Sequence, residues 1–283
     1  MHPLPLFTFT DFGNTGPYLG QVEEQLFRTD PGIRVMHLVT DAPAFAPLEA
    51  GYLLAALAGR MGPGVFLAVI DPGVGGERQP VVVQSGARWF VGPDNGLFAP
   101  LISHDPVARL YSINYRPARM SATFHARDLF APVAGKLATA RFVALEPIDK
   151  LAVNNCPEDL ARIVYIDHYG NLMTGMRADK MNPRQQLLFA GSRLGYAARF
   201  GDVEPGMPFW YGNSLGLVEI SVNRGSARQH FSAKVGMEVG FHDIELYTLS
   251  KYSRFCIAKP TEQDHGGASM HTDAIKVTAA VVP

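Results

Sequence analysis

A continuously apolar run, Gly64–Ile70, constrains the fold of this chain more than any other segment. A strand without alternating polar residues is buried on both faces, as in the centre of a parallel α/β sheet. Asp71 follows this strand directly, and open α/β sheets bind ligands at the carboxyl ends of their strands. A glycine-rich loop comes next and lets Arg78 fold back toward Asp71. The segment therefore predicts a polar site, although many such loops carry only a surface ion pair.

Two other segments carry polar groups in comparable positions. Asp11 ends a second apolar run and precedes a glycine-containing turn, where a carboxylate can accept hydrogen bonds from a ribose diol. His125 follows Thr123, which we predict as a helix N-cap, and the positive end of a helix favours the neutral imidazole that can act as a base. A lone histidine at such a place is usually a surface residue. If His125 lies close to Asp71 and Arg78, it can accept or donate a proton in a reaction.

Residues 1–154 alternate between apolar strands and helical patterns, which predicts a doubly wound α/β domain. The predicted strands are Leu4–Thr10, Ile33–Val39, Gly64–Ile70, Gln79–Gln84, Trp89–Gly92 and Ala108–Ile113, and the predicted helices are Ala46–Met61, Asn95–Ser103 and His125–Ala140.

Beyond a turn-rich break, residues 158–250 change to short strands separated by glycines, which predicts a small β-barrel. Residues 251–283 show little periodicity and are expected to form a tail. The predicted barrel strands are Arg162–Asp167, Gln186–Phe189, Gly195–Phe200, Leu217–Val222 and Met237–Val239.

The composition argues against several classes of protein. A net charge of -1 and a pI near 6.8 do not fit a nucleic-acid-binding protein, which would present a basic face. The sequence shows neither a long apolar run nor a cleavable leader, so we expect a cytoplasmic protein that does not bind membranes. Cys156 and Cys256 have no metal-binding spacing and do not indicate a disulfide framework.

Six short motifs in a fixed order resemble the S-adenosylmethionine hydroxide adenosyltransferase family, the relatives of the fluorinating and chlorinating adenosyl transferases. The resemblance extends from about residue 4 to residue 245. The motifs are Thr10–Gly13, Asp71–Gly75, Gly92–Gly96, Thr123–Asp128, Asp167–Asn171 and Asn213–Gly216.

This resemblance implies hydrolysis of S-adenosyl-L-methionine (SAM) to adenosine and L-methionine, through SN2 attack of an activated water at ribose C5′. No metal or cofactor is implied, because the sulfonium is already an excellent leaving group. Asp71 and Arg78 would fix the water as a buried ion pair, and His125 would accept or relay its proton. The halogenating relatives carry tyrosines in place of Asp71 and His125. A carboxylate at Asp71 repels halide ions, so the resemblance favours hydrolysis over halogenation.

The resemblance also implies a set of substrate contacts and a homotrimer. The cleft would lie between the α/β domain of one subunit and the β domain of its neighbour. Gly16 stands where relatives usually carry an aspartate that binds the methionine ammonium, which predicts weaker substrate binding. The implied contacts are Asp11 on the ribose hydroxyls, Phe45 as a wall of the ribose pocket (or a core residue), Tyr169 and Asn171 on adenine, Ser214 on the methionine carboxylate, and the turn at Ala227 offering backbone groups to the adenine edge.

Two other classes of function stay open on the sequence. Asp11, Asp71, Asp94, His125 and Asp128 could build an oxygen-rich metal site of a metal-dependent hydrolase, whose activity a chelator would abolish. A non-catalytic adenosine- or SAM-binding protein would bind its ligand without turnover.

Overall fold

The computed structural model describes residues 2–242, which begin with an α/β domain built on one seven-stranded sheet. Its strands are β1 (Leu6–Thr10), β2 (Val35–Val39), β3 (Gly64–Val69), β4 (Pro80–Ser85), β5 (Arg88–Pro93), β6 (Arg109–Ile113) and β7 (Leu145–Pro147). Its helices are α1 (Tyr18–Thr29), α2 (Pro47–Ala58), α3 (Ala99–Ser103) and α4 (Ala131–Ala138), the last preceded by a π-helical turn, Ala126–Phe130.

The order of the strands in the sheet is β2-β1-β3-β5-β4-β6-β7. The first four run parallel, and the remaining contacts are antiparallel. Side chains of α1 and α4 pack in the core on one face, and side chains of α2 and α3 pack in the core on the other. The predicted doubly wound α/β domain is confirmed, as a mixed sheet.

The sheet has a topological switch point between β1 and β3. The chain leaves β1 toward β2 on one side and then returns across β1 to β3 on the other. Because α1 and α2 cover opposite faces, their connections separate above the carboxyl ends of these two strands and leave a crevice, the usual ligand position in such folds. Asp11 and Asp71 follow β1 and β3 and flank it.

In the C-terminal domain, all strand pairs within the described residues are antiparallel, which confirms the predicted β domain. One sheet has four strands in the order β12-β13-β9-β8, and the other has three in the order β11-β10-β14. The strands are β8 (Leu160–Ile166), β9 (Leu172–Arg177), β10 (Gln186–Phe189), β11 (Ser192–Leu194), β12 (Pro208–Gly212), β13 (Leu217–Val222) and β14 (Gly240–His242), with a short helix, α5 (Ala227–Phe231), after β13.

The structure corrects several predicted elements. It adds α1, where the glycines after Asp11 predict only a turn, as well as β7, β9 and β12. The predicted strand Gly195–Phe200 is wrong, since it contributes only an isolated bridge at Tyr196. The predicted strand Met237–Val239 lies three residues too early, since the observed strand is Gly240–His242, and the helix predicted from Asn95 begins at Ala99.

Some predictions stay untested. The boundaries at residues 154 and 158 are predictions still, and the tail at 251–283 lies outside the described residues. Within residues 2–242 no helix combines the length and apolarity that crossing a bilayer requires.

Candidate active site

Asp71 and Arg78 form a buried ion pair above the end of β3. The Arg78 Nε donates to both carboxylate oxygens of Asp71, at 3.1 and 3.0 Å, and its Nη2 donates to Asp71 Oδ2. Only 5% of the Asp71 side chain and 10% of the Arg78 side chain are exposed. The guanidinium also lies over the Phe130 ring, 5.2 Å from its centroid. This two-point grip fixes the plane of the carboxylate, as lysine could not.

His125 completes a chain of three side chains. Its Nδ1 lies 2.8 Å from Arg78 Nη2, and the residue is buried. Gly75 makes the approach possible, because a Cβ there would lie 2.3 Å from the Ala122 carbonyl oxygen and its φ is +80°. The loop after β3 can therefore rest on the segment that carries His125. The structure thus places side by side the three residues that the resemblance implies as catalytic.

The start of the helix differs from the prediction. Thr123 does not cap it, since its hydroxyl lies 3.4 Å from Ser121 Oγ and bonds no N–H of the helix within residues 2–242. His125 instead directly precedes the π-helical turn, where the Ala131 N–H donates to the Ala126 carbonyl. Turns of this wide kind occur often at functional sites.

The bond to Arg78 defines the protonation state of His125. A guanidinium can only donate, so Nδ1 must accept and the ring proton must sit on Nε2. Burial, and then the charge of Arg78, lower the pKa of His125 below its usual value, against smaller opposing effects of Asp71 and Asp128. The imidazole is accordingly neutral near pH 7 and holds the guanidinium in place.

Asp11 lies beside this group, at the adjacent strand end. Burial raises its pKa, and the negative charge of Asp71 contributes in the same direction. The rings of Phe12, Tyr18 and Phe124 pack edge-on or tilted against one another, with centroids 5.5–6.0 Å apart, and form an aromatic flank next to it.

A cavity of about 450 Å³ reaches the other side of the group, and Arg78 and His125 both line it. Its wall also includes Gln79, Asn114 and Glu146.

Asn95 lies in the turn that follows β5, the neighbour of β3 in the sheet, and supports the segment that carries Asp71. Its Nδ2 donates to the carbonyl of Ile70 at 2.9 Å, one residue before Asp71. The motif Gly92–Gly96 contains Asn95, but the sequence alone assigns no role to this side chain.

Asn95→Ala is expected to lower the free energy of unfolding by about 1–3 kcal/mol, because the buried Ile70 carbonyl loses its partner. Chemical denaturation measures the change. Asn154→Ala, at an exposed position after β7, is the matched control. Equal stability of the two variants would contradict a supporting role for Asn95.

A second cleft, of about 760 Å³, lies in the C-terminal domain. Three residues predicted from the resemblance, Tyr169, Asn171 and Ser214, line it together. Asp71, Arg78 and His125 do not. Within one chain, the structure therefore forms two separate groups of site residues. The cleft is also lined by Asp167, Met173, Phe200, Tyr211, Asn213, Glu219, Val222, Arg224 and Gly225.

A tight turn presents the aromatic and amide groups of this cleft. Asp167 accepts hydrogen bonds from both the backbone N–H and the Nδ2 of Asn171, each at 2.8 Å. The amide is thus oriented with its Oδ1 directed away from Asp167. Gly170 allows the turn to rest on α5, since a Cβ there would lie 2.0 Å from Ser226 Oγ. Tyr169 projects from the same turn and is 75% exposed.

Ala227 and Phe45 occupy different environments from each other. Ala227 is fully buried in the hydrophobic core and does not line the cleft, whereas Gly225 does, so the adenine contact of this turn stays a prediction.

Phe45 is 83% exposed and has a φ of +62°, which is rare for a bulky side chain. A core role for Phe45 is therefore wrong.

Three of the five residues considered for a metal site are engaged by other groups. Asp71 binds Arg78, Asp128 binds Arg127, and Asp94 accepts the N–H of Ala152 at 2.8 Å. Within residues 2–242 no three His, Cys, Asp or Glu side chains come together as a group that could hold a metal ion.

Two polar residues that support the second cleft were not predicted from the sequence. Glu219 lies in the middle of an apolar strand, and Tyr211 lies in a strand that was not predicted. A carboxylate within the run Leu217–Val222 was the available signal, because charged residues are rarely buried without a partner.

Comparison with known families covers most of the chain. The model described as "SAM hydroxide adenosyltransferase N-terminal domain" matches residues 6–146, and the model of the corresponding C-terminal domain matches residues 161–240. An (R)-S-adenosyl-L-methionine hydrolase of Thermus thermophilus is 35% identical over 256 residues, covering 83% of this chain and 98% of the relative. The enzyme of the same name from Salinispora arenicola is 31% identical, covering 80% and 94%.

Solved structures show the same fold. An uncharacterized conserved protein from Thermotoga maritima superposes with a TM-score of 0.76 at 27% identity, covering 83% of this chain and 99% of that protein. A conserved hypothetical protein from Thermus thermophilus superposes with a TM-score of 0.68 at 32% identity, covering 84% and 100%.

Proposed function

Because this chain belongs to the SAM hydroxide adenosyltransferase family, we propose that it is a SAM hydrolase that releases adenosine and L-methionine. The observation that carries the proposed mechanism is the buried chain of Asp71, Arg78 and His125 at the switch point of the sheet. The substrate brings its own leaving group, so the protein has to place water behind ribose C5′, exclude competing nucleophiles and dispose of one proton.

In the proposed reaction, an oxygen lone pair of water attacks C5′ while the C5′–S bond breaks and its electrons stay on sulfur. Methionine leaves as a neutral thioether. The attacking oxygen becomes strongly acidic as its bond to carbon forms, so a carboxylate suffices as a base. Positioning and general-base help of this kind contribute on the order of 10²–10⁴-fold.

The geometry refines the roles of the three side chains. The Nδ1 lone pair of His125 is occupied by Arg78, so His125 could accept a proton there only after releasing the guanidinium. We therefore assign the proton to Asp71, which keeps free lone pairs beside its bonds to Arg78. Arg78 orients this carboxylate, and His125 holds Arg78 through its Nδ1.

The substrate contacts follow from the two groups of residues. Asp11 beside Asp71 suits the ribose hydroxyls, and the exposed Phe45 would shield the sugar. In the second cleft, Tyr169 would stack on adenine, the oriented Asn171 Oδ1 would accept from its amino group, and Ser214 would bind the methionine carboxylate. One chain separates these groups, which supports a homotrimer that joins the α/β domain of one subunit to the β domain of the next.

The decisive experiment is chromatography of the products after incubation of purified protein with SAM and a chelator. Adenosine and methionine in equal amounts are expected. Methylthioadenosine as the product would contradict the proposed bond cleavage, loss of activity with chelator would favour a metal-dependent hydrolase, and binding without products would favour a sensor.

The rate is expected to fall in acid as His125 becomes protonated, because the protonated ring can no longer accept from Arg78. The pKa of His125 lies below its usual value of about 6.5, so the acid limb of the kcat profile should have its midpoint below that pH.

The same pKa shift affects stability with a known sign. His125 binds its proton more tightly in the unfolded chain than in the folded one. Its contribution to the free energy of unfolding is therefore fully present above about pH 6.5 and is lost as the pH falls. Thermal unfolding at each pH separates this loss of stability from the loss of catalytic rate.

For the rate, a kcat profile whose acid limb has its midpoint above the usual histidine pKa would contradict the role assigned to His125.

A further inference from the structure

Glu219 is a buried carboxylate that the proposed reaction leaves without a role. It lies in β13, where every residue is buried, and only 2% of its surface is exposed. Val218 and Ile220 on the opposite face of the strand belong to the hydrophobic core. Side chains alternate along a strand, so Glu219 lies on the other face of the sheet, at the wall of the second cleft.

Neutral donors hold this carboxylate. Tyr211, its cross-strand neighbour, donates its hydroxyl to Glu219 Oε1, and Asn213 Nδ2 donates to Oε2 at 2.8 Å. An ionised carboxylate has about four acceptor positions, so this leaves about two open. The hydroxyl of Ser221, the next residue on the same face, is buried beside Glu219 and Tyr211 and can donate to one of these open positions.

None of the ion pairs among residues 2–242 includes Glu219, and the cation that lines the same cleft, Arg224, is not in direct contact with it. Burial raises the pKa of Glu219, against the hydrogen bonds from Tyr211 and Asn213, which lower it, and the nearby Asp167 adds a smaller rise. A buried carboxylate without a cation is costly, and a ligand cation would remove that cost.

We propose that Glu219 binds the α-ammonium group of the methionine moiety, an inference that rests on the proposed SAM hydrolase function. Its partner Asn213 adjoins Ser214, which we assign to the methionine carboxylate, and the two substrate groups are attached to one carbon atom. The adenine end has its own partners in Tyr169 and Asn171. Gly16, with a φ of +118° and no side chain, offers no acid for this ammonium.

The test measures binding of three thioether ligands that cannot react as sulfonium compounds do. They are S-adenosyl-L-homocysteine, its analogue without the amino group, and methylthioadenosine. In calorimetry, the unmodified protein should bind the first about 10- to 150-fold more tightly than the second, the range expected for a charge-assisted hydrogen bond. Equal affinities would overturn the proposal without any variant.

Glu219→Gln should bring this ammonium preference close to unity and leave the affinity for methylthioadenosine unchanged. Glu238→Gln, at an exposed carboxylate of the same domain, is the matched control. If Glu219→Gln does not fold, Glu219→Asp, which keeps the charge, should show a reduced preference. A uniform loss of affinity for all three ligands would show a structural or adenine-binding role and overturn the proposal. Because binding is read without turnover, absence of SAM hydrolysis would refute the proposed function separately.

Discussion

Asp71→Asn and Arg78→Lys are expected to reduce kcat for SAM hydrolysis by about 10²–10⁴-fold, with the affinity for SAM nearly unchanged. The first change removes the proton acceptor. The second keeps the charge but loses the planar fork that grips both carboxylate oxygens. Single-turnover rates and equilibrium binding separate the two effects, because a group that acts only in the transition state changes kcat alone.

The matched control for Arg78→Lys is Arg141→Lys. Arg141 pairs with Asp30 at 3.1 Å in the same domain, and 55% of its side chain is exposed, so this change should leave kcat unaltered. Wild-type turnover of either Asp71→Asn or Arg78→Lys would show that the ion pair has no part in the mechanism. A large loss of SAM affinity would assign it to substrate binding.

Mixing two inactive variants should restore activity if the site is shared between subunits. Asp71→Asn disables the α/β half of each site, and Asn171→Ala disables the β half. Random assembly of mixed trimers joins an intact half from each parent in about a quarter of the sites, so close to that fraction of wild-type activity is expected. Activity after co-refolding or co-expression, with light scattering for the mass, provides the measurement.

A mixture of Asp71→Asn with Arg78→Lys is the appropriate control, because both lesions lie in the same half and no intact site can form. Activity in the control mixture would show contamination with wild-type protein, or restoration that does not depend on joining halves from different subunits. Failure of the first mixture in a proven trimer, or full activity of a monomer, would refute the shared site.

The proximity of Asp71 and Arg78 could be predicted from the sequence for local reasons. Asp71 follows a strand whose burial is evident from its composition, and only seven residues separate it from Arg78. His125 required a long-range contact, which came from the resemblance and not from periodicity. Its Nδ1 bond to Arg78, and hence its proposed role as a support for the guanidinium, depends on atomic geometry that no pattern carries.

The second group was predicted less completely. Tyr169, Asn171 and Ser214 lie in glycine-containing turns that motifs reveal. The surroundings of Glu219 depend on the pairing of its strand, β13, with β12 and β9. The pairing with β9 connects distant parts of the chain, which a sequence pattern does not reveal. The strand β12 escaped prediction because its residues, Pro208–Gly212, begin and end with turn-forming residues.

The π-helical turn at Ala126–Phe130 limits which insertions and deletions this part of the chain can accept. Each residue of an α-helix advances the side chains by about 100° around the axis. The extra residue in the wide turn therefore sets the angular phase between His125, at the site, and Val133 and Ala134, in the core. Removing one residue here would rotate the histidine or the apolar stripe out of place. Substitutions in this stretch should be tolerated in evolution far more readily than single-residue gaps.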